Sequence, residues 1–291
     1  MSTEAEAAAA RALLAHKGRT YDGGCALVEA GAVAMYAEAT QDEHIRYYGD
    51  GAIASPMFHV RPMRDLLFMV MEDPELSLDM LKLVHAEHDA RFIQPVRVGD
   101  VMHLRGTLTH VEQKSKGLLV EAMMRGFVDN QLAVEARTSF YIRGQVVAPV
   151  GTGRRDAKGR SEPAGPPSHV RTWKVASNQS HRYAEASLDR NPIHLDPEVA
   201  RAGGLPDVIL HGLCTMAITG RTVLDAVGNS DPLRLKRLGL RWARPVLNGS
   251  ALSTRIWARK AADDGTVTVH FDVVDDAGNQ VVRLGVAEVG P

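Results

Sequence analysis

Cysteine is nearly absent from this chain. Cys25 and Cys214 are the only two in 291 residues, which argues against a disulfide framework and for a reducing, cytoplasmic setting. An excess of charge of either sign is missing as well. Lys plus Arg number 34 against 35 Asp plus Glu, so nothing global recruits nucleic acid, a membrane surface or a polyanion, and an anionic ligand must be met by a local patch. Long apolar runs are also lacking: the Ala-rich start AEAAAARALL falls short of a signal or membrane helix, and the closing Glu288-Val289-Gly290-Pro291 carries no peroxisomal address. What is there fits an ordinary soluble globular protein, with 45% apolar and 24% charged residues and enough length for two compact domains or one large one.

Residues 1–20 read as a helical or frayed lead-in, and GTGRRDAKGRSEPAGPPS (151–168) as a linker, because Gly, Pro and charge at that density build no core. The linker divides the chain into halves, 21–150 and 169–291, that share a repeat. Met35-Tyr36-Ala37-Glu38-Ala39-Thr40-Gln41-Asp42 matches Arg182-Tyr183-Ala184-Glu185-Ala186-Ser187-Leu188-Asp189. Farther on, Arg91-Phe92-Ile93-Gln94-Pro95-Val96-Arg97-Val98-Gly99-Asp100 matches Arg241-Trp242-Ala243-Arg244-Pro245-Val246-Leu247-Asn248-Gly249-Ser250 at nearly the same offset. Two matches in one order mark a tandem duplication of one fold unit.

Each unit then reads as a short helix (29–39, 178–187), a loop, a longer apolar helix and several strands. Over 211–227, Leu213, Met216, Ala217, Gly220, Val223, Leu224 and Val227 recur every three or four residues, which predicts a helix with a wide buried face. Over 132–142 the even positions Leu132, Val134, Ala136, Thr138, Phe140 and Ile142 oppose Glu135, Arg137 and Ser139, and Val267, Val269, Phe271 and Val273 repeat the alternation against Thr268, His270 and Asp272. The expected class is therefore α+β, a helix covered by an antiparallel meander, twice, side by side. In the first half Pro62 interrupts the long helix and should shorten or kink it, leaving room for substrate.

The chemistry concentrates at 183–212, YAEASLDRNPIHLDPEVARAGGLPDVILHG. Asp189, Asn191 and His194 lie within six residues, and His211-Gly212 opens the long helix. Tyr183 to Asp196 resembles the signature Y-x-x-x-S-G-D-x-N-P-I-H-x-D of the MaoC-like, R-specific enoyl-CoA hydratases, and Ile209 to Thr215 resembles the segment that follows it in the eukaryotic hydratase 2 domain. That resemblance, strongest over about 170–290, implies a double hotdog fold holding an acyl thioester between its halves. It implies Gly212 as the N–H donor to the thioester oxygen, a role that the unpaired N–H groups of a helix start suit.

Hydrating a conjugated enoyl thioester needs a group to deprotonate water, a group to protonate the α carbon and donors for an enolate-like oxygen. Asp189 and His194 supply the acid–base pair, and Asn191 holds the water or orients them. Pro192 biases Asn191 away from helix and so fixes the loop. Singly, each of these residues also fits a plain turn. The expected activity is that of a hydro-lyase interconverting trans-2-enoyl and (3R)-3-hydroxyacyl thioesters of CoA or acyl carrier protein, with no metal or redox cofactor. A hotdog thioesterase and a non-catalytic acyl-CoA binder are the alternatives, and a homodimer is compatible with either.

Tyr183, His211, Met57 and Arg91 are further candidates for substrate contact, and Arg91, Arg241 and Arg244 for the CoA phosphates, although the charged face of a strand accounts for these arginines equally. Met57, Met63, Met69, Met71 and Met80 could line an acyl tunnel or fill a core. One position departs from the family: Leu188 stands where a glycine usually precedes the Asp, and a positive φ there would strain it. The first half keeps Asp42 but has Tyr47 in place of His194, so one active site per chain is expected. Its Asp42-Glu43-His44 cluster is a rival acid–base group. His85 and His88 are expected on opposite faces of a strand, and His211 and Cys214 to lack further ligands, so no metal site is expected.

Overall fold

The computed structural model describes residues 16–80, 82–145, 165–258 and 261–291. Most of the expected lead-in and of the linker lies outside these residues. The first half contains β1 (Thr20–Leu27), α1 (Ala30–Ala39), α2 (Arg64–Met71), β2 (Leu83–Phe92), β3 (Val101–Lys114), β4 (Gly117–Val128) and β5 (Gln131–Arg143). The second contains β6 (His169–Lys174), α3 (Gln179–Ser187), α4 (Pro197–Ala202), α5 (Gly212–Val227), β7 (Leu235–Trp242), β8 (Ala251–Ala258), β9 (Val267–Asp275) and β10 (Gln280–Val289).

All ten strands form one sheet in the order β1-β3-β4-β5-β2-β7-β10-β9-β8-β6. Read outward from the centre, the two halves repeat the same order, so each strand of the first has a counterpart in the second. The halves join where β2 runs antiparallel to β7, from Glu87 opposite Arg241 to Arg91 opposite Arg237. Ion pairs stitch this seam: Arg237 donates to Asp89 at 2.8 Å and to Glu288 at 3.0 Å, and Arg137 reaches Asp89 at 3.3 Å. This is the paired, helix-covered arrangement of a double hotdog, and the expected fold is borne out.

The long helix α5 forms where its spacing predicts. Cys214, Met216, Ala217, Ile218, Val223 and Leu224 are buried and α5 packs on β7 to β10. Its first-half counterpart is broken, as Pro62 requires. A 3-10 turn at Pro56–Val60 and the eight-residue α2 replace one long rod. Met57, Met63 and Met71 are packed into the core there, whereas Met69 and Met80 are exposed. Three of the five methionines thus fill the interior, and Met57 also lines a cleft. A separate cavity of about 60 Å³ is lined by Ile53, Phe58, His59, Phe92 and Met102 among others.

Three strands depart from the sequence reading. Each half begins with a strand, β1 or β6, whose residues are largely exposed and so show no apolar alternation. And β2 carries a bulge between His85 and Glu87. The extra residue returns His85 to the face used by His88, so their rings lie 5.7 Å apart instead of on opposite faces.

Candidate active site

The helix α3 ends at Ser187, two residues before the acid. Leu188 takes φ 64 and ψ 9, the left-handed conformation that terminates a helix, and turns the chain so that Asp189 faces α5. Gln41 at φ 57 does the same at the matching point of the first half, so the turn belongs to the repeat. Ser187 fastens it: its hydroxyl donates to the Tyr183 carbonyl at 2.7 Å and accepts from the Asp189 N–H at 3.2 Å.

Asn191 acts inside the loop. Its side-chain oxygen accepts the Ile193 N–H at 3.3 Å and caps the 3-10 turn Pro192–His194, while its own N–H donates to Asp189 Oδ1 at 3.2 Å. The residue thus couples the acid to the turn that carries the imidazole.

His194 is buried, and its Nδ1–H donates to the Ile209 carbonyl at 2.8 Å, which leaves Nε2 with the lone pair. Burial holds its pKa below the usual histidine value, against the opposing pull of the Asp189 charge. His211 is buried too. Its Nε2–H donates to the Asp189 carbonyl at 2.9 Å, its ring stacks on His194 at 3.8 Å between centroids, and its Nδ1 has no partner. Burial, then the neighbouring His194, push its pKa well down, so it is a neutral imidazole. One ligand atom from each of Asp189, His194 and His211 lies within 4.8 Å of the other two. The expectation that His211 lacks nearby ligand groups is therefore corrected: the loop and the helix start arrive from different parts of the chain. Cys214 is not among them. Its buried thiol faces Gln179 and the Ala39 carbonyl, and burial pushes its pKa up.

Gly212 is the first residue of α5 and stands beside this group. A Cβ there would lie 2.8 Å from the Trp242 ring, whose Nε1–H donates to the Gly212 carbonyl at 3.0 Å. The indole both forbids a side chain and pins the helix start. Tyr183, fully buried, supports His211 from below at 4.9 Å and meets the Tyr36 hydroxyl with its own.

The other candidates lie elsewhere. Arg91 pairs with Glu288 at 3.4 Å and Arg241 with Glu87 at 4.0 Å on the seam between the halves, so the structure reads them as strand-face ion pairs. Met57 packs in a cleft with Ala217, Leu224 and Asp42. In the rival cluster Asp42 accepts from the Tyr47 hydroxyl at 2.8 Å, and His44 Nδ1 accepts the Arg46 N–H at 3.2 Å. Burial raises the pKa of Asp42.

Sequence reasoning missed Arg61. Its guanidinium crosses from the first half to donate to the carbonyls of Ala186 at 2.6 Å and Glu185 at 3.2 Å, capping the end of α3 just before the acid. Only the fold brings these residues together.

Residues 159–278 match the family described as MaoC like domain, and residues 15–136 the FAS1-like, dehydratase domain region. The chain is 27% identical over 223 residues to a probable enoyl-CoA hydratase 2 of Dictyostelium discoideum, covering 74% of this chain and 73% of that protein. It is also 27% identical over 229 residues to the peroxisomal multifunctional enzyme type 2 of Mus musculus, covering 76% of this chain but 29% of that longer protein. Among solved structures, a MaoC-like dehydratase from Phytophthora capsici superposes with a TM-score of 0.80 at 22% identity, covering 97% of this chain and 98% of that one. The second half thus carries a MaoC like domain and the first a FAS1-like, dehydratase domain region, and one sheet joins them in a double hotdog fold.

Proposed function

We propose that the chain is an (R)-specific enoyl-CoA hydratase, a hydro-lyase that interconverts a trans-2-enoyl thioester and a (3R)-3-hydroxyacyl thioester. The observation that carries this reading is the convergence of the Asp189 carboxylate and the His194 imidazole beside Gly212 at the start of α5. The names of the relatives agree with it.

The Ile209 carbonyl holds the proton of His194 on Nδ1, so Nε2 is the base. It takes a proton from water as the water oxygen bonds to C3, and the electron pair of the double bond moves toward the thioester carbonyl. The N–H of Gly212 meets the oxygen that gains charge. The imidazolium, balanced by the Asp189 carboxylate, then gives its proton to C2. Asp189 orients the water and Asn191 holds the loop. These groups cover each proton and charge the reaction moves, so the reading calls for no metal or redox cofactor. The first half, where Tyr47 closes off Asp42, serves as a scaffold, and each chain has one active site. The carrier is CoA or acyl carrier protein.

Incubation with a trans-2-enoyl-CoA tests the reading. Loss of the conjugated absorbance without release of free thiol is expected. Thiol release without hydration would make the chain a thioesterase, and retained binding with neither signal would make it an acyl-CoA binder.

A further inference from the structure

His211 takes no part in the proton steps, yet it contacts both Asp189 and His194. We propose that His211 is a positioning residue for the hydration, one that sets where Asp189 and His194 stand without itself meeting water or substrate. What the two residues do rests on the hydratase reading; how they are held does not.

The His211 imidazole is 2% exposed, too little to reach a ligand. Its Nε2–H donates to the Asp189 carbonyl at 2.9 Å, and the Asp189 N–H donates to Ser187 Oγ at 3.2 Å. Asp189 is therefore pinned at its N–H from the end of α3 and at its carbonyl from the start of α5, so that side-chain rotation alone aims the carboxylate. His194 needs a second constraint. The bond from its Nδ1–H to the Ile209 carbonyl directs one ring atom but tolerates a tilt of the ring plane, because a carbonyl accepts over a broad range of angles. The His211 ring lies against it at 3.8 Å between centroids, with the planes 27° apart, and limits that tilt. Tyr183 backs His211 in turn at 4.9 Å. Packed rotamers and outer hydrogen bonds of this kind hold a reacting geometry to a fraction of an ångström.

Stability alone accounts poorly for a histidine here. Its Nδ1 is buried without a hydrogen-bond partner, a loss that an apolar ring would avoid. The repeat supplies an internal comparison. The bridges Ile53 to Arg97 and Ile209 to Leu247 are equivalent, since Arg97 and Leu247 match between the halves. Ser55-Pro56 then stands where the second half has His211-Gly212. The half that has Tyr47 in place of His194 thus has no imidazole at the His211 position either. The two histidines are present together in one half and absent together in the other, as a pair that works as a unit requires.

His211→Ala should lower kcat by up to about 100-fold, the scale expected when catalytic groups shift by about 1 Å, and leave KM within about twofold. The kcat is counted per site that binds a (3R)-3-hydroxyacyl-CoA in calorimetry, so misfolded chain does not enter it. His211→Gln restores a donor without a ring and His211→Phe a ring without a donor, and each should recover part of the loss. In an Asp189→Asn background His211→Phe should cost less than in the unmodified chain, because the carboxylate that the donor places is gone. An unchanged kcat in His211→Ala, a change confined to KM, or equal costs in the two backgrounds would overturn the proposal. Crystals of His211→Ala supply a readout that needs no activity: the His194 ring should tilt and the Asp189 carbonyl should turn from its present direction. Both groups unmoved would overturn the positioning role. An unmodified chain that binds the thioester without hydrating it would count against the hydratase reading and leave the crystal result to decide the positioning.

Discussion

Tyr36 and Tyr183 meet hydroxyl to hydroxyl at 3.3 Å, and they are the same residue of the repeat, 147 positions apart in the chain. Their rings pack at 5.7 Å where α1 and α3 cross between the halves. Both are fully buried, and burial holds both hydroxyls neutral. Removing one hydroxyl leaves the other without its partner in a dry interface, which costs about 1–3 kcal/mol. Tyr36→Phe should therefore lower stability to chemical denaturation by that amount. The double change Tyr36→Phe with Tyr183→Phe should cost less than the sum of the two single changes, and strict additivity would show that the hydroxyls do not interact.

The conformation at Leu188 allows a stabilising change. A leucine at φ 64 carries a cost that glycine does not, on the order of 1 kcal/mol, and its exposed side chain contributes little packing in return. Leu188→Gly should raise the midpoint of denaturation and preserve or raise the hydration rate, whereas Leu188→Ala should bring neither gain. A loss of stability with glycine would mean that the leucine side chain holds the turn through contacts.

Much of this was legible locally. The three- and four-residue spacing fixed α5, Pro62 announced the broken helix of the first half, and Asp189, Asn191 and His194 lie in one short loop. The edge strands β1 and β6 were not, because their exposed residues lack the alternation that burial imposes. Neither was the bulge at His85, which depends on pairing with β5. His211 comes to Asp189 from 22 residues away and Arg61 to Ala186 from 125, contacts set by topology alone.

Arg61 should act on catalysis without touching substrate. Its guanidinium fixes the last carbonyls of α3, and a shift of that end by about 1 Å would misplace Asp189 enough to cost up to about 100-fold in rate. Arg61→Ala should lower kcat with little change in KM, and Arg61→Lys should recover part of the loss. A change confined to KM would place Arg61 at the substrate instead.

Acid should destabilise the fold before the carboxylates titrate. Burial pushes His59 down to about 4 and His85 down to about 3, from an ordinary value of 6.5. Both are neutral in the folded chain, while the unfolded chain binds protons at these residues below pH 6.5. Stability is then at its full level above pH 6.5 and falls as pH drops toward 4, the sign required when the unfolded state holds more protons. Replacing His85, whose ring packs at a tilt against Trp242 at 4.4 Å and Phe140 at 4.9 Å between centroids, with Phe should flatten this slope. Denaturant midpoints measured from pH 7.5 to 4.5 would show it, and an unchanged slope would mean that His85 titrates alike in both states.

Gly212 gives the sharpest link between packing and chemistry. A methyl group there would come within 2.9 Å of Trp242 Nε1, the atom whose N–H binds the Gly212 carbonyl. Either the indole yields and releases the start of α5, or the helix backs away from the site. Gly212→Ala should therefore destabilise the fold by about 1–3 kcal/mol, the usual cost of overpacking, and reduce hydration far more than acyl-CoA binding. Adding Trp242→Phe, which removes the fused ring, should return stability but not full rate, because the helix start loses its hydrogen bond. Full activity in Gly212→Ala would remove the N–H of this residue from the reaction and leave the thioester oxygen to another donor.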